Sequence, residues 1–309
     1  MDLLIPMILK QIKGIGSIKI RNIIENNTMP RDMDEVQDWL KLVLSKESVH
    51  IKNMTNEQFK SILENVNKIK EGSIKNNIRM VSILDNKYPK LLKDINNAPT
   101  ILFYKGNYEC LINENNIAIV GTRKPTENGA RVAYKTSKYF LSLGYSVVSG
   151  LAIGCDTYAH KAAVDSKKTT IAVMPCGLDY IVPKVNMKLA NDILENNGCL
   201  VSEYEYGSKL SRYNYVNRNR IQSGLSKGII VIETREKGGT IETVNFGIKQ
   251  NKIVACYDCD EEYEEIRGNK KFIKEGKAYS YKTLNDLSII EEKIKKYYGF
   301  SNIQLNFNI

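Results

Sequence analysis

From Ile117 to Asn219 short apolar runs alternate with polar, glycine-bearing turns. The runs are IAIVGTR (117–123), YSVVSGLAIGCD (145–156) and TIAVMPCGLD (170–179), each with four or five β-favouring residues in succession. Unbroken apolar runs of this length are the pattern of parallel strands buried on both faces. Between and after them, apolar residues three and four apart fit helices over 129–143, 157–165, 187–195, 218–226 and 242–249. Strands are also predicted over 80–84 and 99–104, so alternating strands and helices run to about Tyr257, the order of an open α/β sheet.

Before Met80 the pattern has only the helical period. Leu40, Val43 and Leu44, then Phe59, Ile62, Leu63, Val66 and Ile69, recur at spacings of three and four. Residues 1–75 are therefore expected to form a small all-helical unit. Within it, Lys13-Gly14-Ile15-Gly16-Ser17-Ile18-Lys19 has the form of a helix-hairpin-helix turn, able to present backbone N–H groups to phosphate or to serve as a plain tight turn. The polar stretch 70–79 and the turn Asp85-Asn86-Lys87-Tyr88-Pro89 mark the boundary. The expected divisions are 1–75, 76–258 and 259–309. Six acids in eight residues, Asp258 to Glu265, straddle the second of these boundaries, and the last division offers one helix, around 284–297.

Composition narrows the partners. The 309 residues carry 45 Lys+Arg against 35 Asp+Glu, a formal charge of +10, which favours an anionic partner, although a general bias towards Lys, Asn and Ile gives the same excess. The six cysteines are scattered, as in a protein of a reducing compartment. Cys256 and Cys259 have metal-like spacing but no second pair, and no metal is expected. No signal peptide or membrane-length apolar run is read, which points to a soluble cytoplasmic protein.

The candidate chemistry lies in the turns. Glycine at the carboxyl end of a buried strand lets backbone N–H groups approach an anion, and the following helix adds its positive end. Gly121-Thr122-Arg123-Lys124 is the first such turn and Ser149-Gly150 begins the second, which leads into a helix bearing Asp156, read as a cap, and His160, read as a structural group. A third basic cluster, 206–228, holds Lys209, Arg212, Arg218, Arg220 and Lys227 without an acid, interleaved with Tyr206, Tyr213 and Tyr215 and preceded by Tyr204. Arginine with tyrosine suits phosphate pairing and stacking of unpaired bases; tyrosines packing a long loop onto the domain are the plainer alternative. The dinucleotide and P-loop glycine motifs are absent, as are GxSxG and HExxH, and His50 and His160 are the only histidines. One carboxylate, Glu242 of KGGTIET, stands beside a glycine turn.

From Tyr88 to Tyr257 the chain resembles the DNA-processing protein A (DprA/Smf) family. The resemblance runs in order through YPKLLKDINNAPTILFYKGN, AIVGTRKPTENG, VVSGLAIGCDTYAH, TIAVMPCGLDYIVPKVN, LVSEYEYG, NRNRIQSGLSKGIIVIET and GGTIETVNFGIKQNKIVAC. It implies an extended Rossmann-like domain with an open, mostly parallel sheet, preceded by a helix-hairpin-helix or SAM-like helical unit. It further implies single-stranded DNA binding without catalytic turnover or cofactor, a homodimer, and loading of a RecA-type recombinase in natural transformation. Carried over by position, the DNA site comprises Gly121, Thr122, Arg123 and Lys124, then Ser149, Gly150 and Gly177, and finally Tyr215, Asn217, Arg218, Asn219 and Arg220.

The chain departs from that family at three places. Tyr215-Val216-Asn217 stands where a Phe-Pro pair is usual before the RNR, GGTIETV replaces GSLITA and so introduces Glu242, and the end of the chain does not read as a winged helix. GGTIET also resembles, incompletely, the GGxGTxxE loop of phosphoribohydrolases. That leaves a nucleotide-binding or nucleoside-monophosphate-hydrolysing protein, with Glu242 as catalytic candidate, and a DNA or nucleotide sensor on the same fold as alternatives.

Overall fold

The structure, a computed structural model, describes residues 1–46 and 54–306; His50 lies outside them. Four helices come first: α1 (Leu4–Lys10), α2 (Ser17–Asn26), α3 (Met33–Lys46) and α4 (Asn56–Lys75). The three-four spacing produces one apolar face on each. On α3 that face is Val36, Leu40, Val43 and Leu44, all buried, each contributing about 1.5–3 kcal/mol of burial. Thr55 caps α4 reciprocally with Gln58 (Gln58 N–H to Oγ1 3.2 Å, Thr55 N–H to Oε1 3.0 Å). In the turn between α1 and α2, Gly14 takes φ +89° and Ile15 is buried, while Lys13 stays exposed.

An α/β sheet follows. Its elements are β1 (Arg79–Ser82), α5 (Lys90–Lys93), β2 (Ile101–Gly106), α6 (Glu109–Ile112), β3 (Asn116–Val120), α7 (Glu127–Ser142), β4 (Ser146–Ser149), α8 (Cys155–Asp165), β5 (Thr170–Val173), α9 (Met187–Glu195) and β6 (Cys199–Ser202). Then come α10 (Arg212–Asn217), α11 (Asn219–Gly224), β7 (Gly228–Val231), α12 (Gly239–Lys249), β8 (Ile253–Tyr257), α13 (Arg267–Lys274), β9 (Tyr279–Tyr281) and α14 (Leu284–Asn306). The nine strands described lie in the order β1-β2-β6-β5-β4-β3-β7-β8-β9. β1–β2 and β2–β6 pair antiparallel and every other pair is parallel, so the sheet is mixed and mostly parallel.

β3 to β7 are buried at every residue, the consequence of helices on both faces. The helical region shares a core with this sheet: Ile5, Leu9, Leu40 and Val66 join a cluster with Ile101, Phe103, Ala172 and Leu189. Polar contacts add to it, as Arg21 Nη1 donates to the Lys93 carbonyl (2.9 Å) and Lys10 Nζ to the Glu203 carbonyl (2.5 Å).

The segment after Tyr257 continues the sheet. β9 pairs with β8, and α14 packs Leu287, Ile290 and Ile294 into the core of the sheet. Three residues of edge strand and an acid-rich approach carry no readable period, which is why this continuation is not visible in sequence. No helix among the described residues is long and apolar enough to cross a membrane.

Candidate nucleic-acid interface

The strand order reverses direction beside β3. The chain proceeds from β3 through β4 and β5 to β6 on one side, then starts again at β7 and proceeds to β8 on the other. Loops leaving β3 and β7 at their carboxyl ends diverge there and open a crevice, the usual ligand position of such sheets. The two loops are joined at its floor, where Thr122 N–H donates to the Glu233 carbonyl (2.7 Å). The loop after β4 is fastened to the first by Cys155 N–H to the Thr122 carbonyl (3.1 Å). Gly154 is required at this junction: its φ is +86°, and a Cβ would lie 2.4 Å from the Thr122 oxygen.

The crevice has a volume of about 630 Å³ and is lined by Arg123, Lys124, Arg212, Arg218, Arg235 and Lys237 against one carboxylate, Asp156. The Gly238-Gly239-Thr240 turn, which begins α12, also opens into it, so a helix N-terminus adds to the positive field. The Arg123 guanidinium lies 5.2 Å from the centre of the Tyr215 ring, a cation–π arrangement that steadies both at the mouth. Asp156 accepts N–H bonds from Gly150 (3.1 Å) and Ala152 (3.4 Å), closing the β4 loop. Burial raises its pKa, partly offset by the Arg218 charge and these bonds.

Arg218 is the inner wall. It is 4% exposed, with Nε donating to Asn219 Oδ1 (3.0 Å) and Nη1 to the Val173 carbonyl; burial lowers its pKa. Its guanidinium lies over Gly150, where a Cβ would be 1.9 Å from Nη1, so this glycine exists to admit the arginine. Asn219 completes the wall by donating Nδ2 to the Gly239 carbonyl of α12 (3.1 Å).

The structure gathers Gly121, Thr122, Arg123, Lys124, Tyr215, Arg218 and Asn219 from the expected site into the crevice lining, and leaves Ser149, Gly150, Gly177, Asn217 and Arg220 outside it. Ser149 Oγ is turned to the Ile119 carbonyl (2.7 Å), and Gly177 is buried beside Asp179 and Glu205. The Asn217 carbonyl accepts from Arg220 Nη1 (2.9 Å). Arg220, expected to contact phosphate, is held within the protein. Its Nη1 and Nη2 grip Glu203 at 2.7 and 2.6 Å, Nε donates to the Asn97 carbonyl (3.0 Å), and the side chain is 7% exposed. Arg218 stands at the turn between α10 and α11 with its guanidinium over Gly150, whereas that of Arg220, two residues on, is directed to Glu203 and Asn97.

Sequence reasoning passed over Arg235 and Lys237 as site residues. The available signal was their position just past β7, but only the strand order reveals that β7 borders β3. Glu242 is half-buried on α12, whose residues in the crevice are Gly239, Thr240 and Thr243. His160 is fully buried: Nε2 accepts the Leu151 N–H (3.3 Å) and Nδ1 lies 2.8 Å from Thr170 Oγ1. Because that hydroxyl donates to the Val147 carbonyl (2.7 Å), Nδ1 carries the proton. Burial, with Arg218 nearby, pushes its pKa down to about 3. Among the described residues no cluster of His, Cys, Asp or Glu is arranged to hold a metal ion, and the six cysteines are free.

Residues 79–292 match the family model for DNA recombination-mediator protein A. A protein Smf of Synechocystis sp. is 31% identical over 277 residues, 86% of this chain and 67% of that protein. DNA processing protein DprA of Bacillus subtilis is 37% identical over 177 residues, 57% of this chain and 59% of its own length. Among solved structures, DNA processing protein A of Streptococcus pneumoniae superposes with a TM-score of 0.68 at 28% identity, covering 89% of this chain and 98% of that one. DNA processing protein A of Helicobacter pylori, whose structure concerns a unique single-stranded DNA binding mode, has a TM-score of 0.61 at 26% identity, covering 71% and 96%.

Proposed function

The chain belongs to the DNA recombination-mediator protein A family, and from that premise we propose that it binds single-stranded DNA in the crevice and delivers it to a RecA-type recombinase. The observation that carries this reading is the charge balance of the crevice, six cationic side chains against Asp156, at the point where the strand order reverses. Phosphates lie along Arg123, Lys124 and Lys237, with Arg218 as a fixed inner contact and the Tyr215 ring as a platform for one base. Such a grip follows the backbone and tolerates any sequence.

The chain spans 59% of the Bacillus subtilis relative, and the whole-protein activity belongs to this proposal. Membership of a recombination-mediator family supports hand-over to a recombinase during uptake and recombination of DNA. Exposed Tyr279, Leu284, Ile289 and Tyr297 at the β9–α14 edge support a homodimer formed there. The helical unit 1–75, which shares a core with the sheet, is proposed to add a phosphate contact through its Lys13–Lys19 turn, and the chain is proposed as a DNA-binding protein without turnover.

The test is charge reversal at two exposed positions, Arg123→Glu with Lys237→Glu. Affinity for a mixed-sequence single strand should fall by roughly 30-fold to 1,000-fold, at roughly 1–2 kcal/mol for each of the reversed contacts. Unchanged affinity would remove the crevice as the DNA site.

A further inference from the structure

The strand end that carries Arg235 is gripped by the acid-rich segment after β8. Asn269, fully buried on α13, donates Nδ2 to the carbonyls of Ile232 (2.9 Å) and Tyr257 (2.8 Å) and accepts the Thr234 N–H (2.9 Å). Gly268 N–H donates to the Thr234 carbonyl (2.8 Å). Upstream, the Tyr263 hydroxyl donates to Oε1 of buried Glu233 (2.8 Å). Between these anchors two carboxylates face the crevice arginine: Arg235 Nη1 is 3.1 Å from Glu264 and Nη2 is 2.6 Å from Glu265.

Among the described residues, Arg235 is the only one of the six crevice cations in an ion pair with an acidic side chain. The pairs are not needed to hold the segment, because Asn269, Gly268 and Tyr263 already fix it and a pair with Arg235 43% exposed contributes little to stability. Two carboxylate oxygens on one guanidinium imitate the oxygens of a phosphate. Glu265 is held in its charged form, its pKa lowered by the hydrogen bond from Arg235.

We infer that Glu264 and Glu265 are an internal competitor for nucleic acid: they occupy Arg235 as a phosphate would, and a DNA strand must displace them to gain this contact. The inference rests on the DNA-binding reading above. Its consequence is a grip weaker and more readily reversed than the crevice charge alone would give, with Arg235 as a reserve contact.

A charge cycle on the full chain tests it, using anisotropy of a labelled oligo-dT at low salt. E264Q/E265Q should bind about threefold to tenfold more tightly than the unsubstituted chain, with a log–log salt slope steeper by about 0.7 for one added phosphate contact. The gain should vanish when the same pair is placed in an R235A background. E261Q/E262Q removes the same charge from exposed positions of the same segment and should change affinity by less than about twofold. A gain that persists without Arg235, or equals that of E261Q/E262Q, overturns the inference in favour of a general charge effect. If the unsubstituted chain binds and E264Q/E265Q does not differ from it, the competitor is refuted and the DNA reading stands. If none of the five proteins binds, both fail.

Discussion

Removing the Arg220 side chain should damage stability and spare DNA binding, whereas removing that of Arg218 should weaken DNA binding. Arg220 and Glu203 form a two-point ion pair at 2.6 and 2.7 Å with side chains 7% and 14% exposed, and Arg220 also satisfies the Asn97 and Asn217 carbonyls. Arg220→Ala leaves the carboxylate of Glu203 buried without its partner, a change that costs about 3–5 kcal/mol. Lys10, bonded to the Glu203 carbonyl, remains nearby and brings the expected figure towards the lower end, about 3 kcal/mol. In urea this lowers the unfolding midpoint by about 1 M, while affinity measured on the folded variant stays within about threefold. Arg218→Met, of similar volume, should weaken single-strand binding by about tenfold or more through loss of the inner contact. Equal loss of affinity in both variants, with the Arg220→Ala midpoint unmoved, would refute the division.

Three further outcomes follow from particular contacts. His160 is neutral in the fold, with a pKa of about 3 against 6.5 for a free histidine, so the unfolded chain takes up a proton there first as pH falls. Stability is therefore lost from about pH 6.5 downwards, by about 2 kcal/mol between pH 7 and 5 from this group, and urea unfolding of His160→Gln should lack that part of the slope. Tyr215→Ala should weaken single-strand binding by about tenfold and Tyr215→Phe by less than about threefold, since the ring and not the hydroxyl stacks; equal losses in the two titrations would contradict stacking. Gly154→Ala forces a side chain into a left-handed backbone 2.4 Å from the Thr122 carbonyl and should lower thermal stability by at least about 1–2 kcal/mol while weakening DNA binding through the displaced first loop. An unchanged melting temperature would count against the tight junction.

The core of the fold is legible because β3, β4, β5 and β7 are buried on both faces and therefore read as uninterrupted apolar runs. Met187–Glu195 coincides with the predicted helix, while α7 and α8 begin two residues earlier than their apolar period suggests, where Thr126 and Gly154 set the starts. β9, Tyr-Ser-Tyr at an edge, is too short to show a period.

The site divides in the same way. Gly121 to Lys124 announces itself as a turn after a strand, whereas Arg235 and Lys237 join the crevice only through the adjacency of β3 and β7, a non-local fact. Arg218 and Arg220 look alike in the NRNR segment. The turn at Arg218 separates them, and Glu203, 17 residues before Arg220 and just past β6, decides which one is buried in a pair.

Equilibrium binding of a labelled single-stranded oligonucleotide and of the matching duplex, followed by fluorescence anisotropy across a salt series, tests the central claim most directly. The account predicts clear preference for the single strand, with a log–log slope near −3, as expected when about four phosphates are neutralised. No binding of the single strand even at low salt, or equal affinity for the duplex, would contradict it.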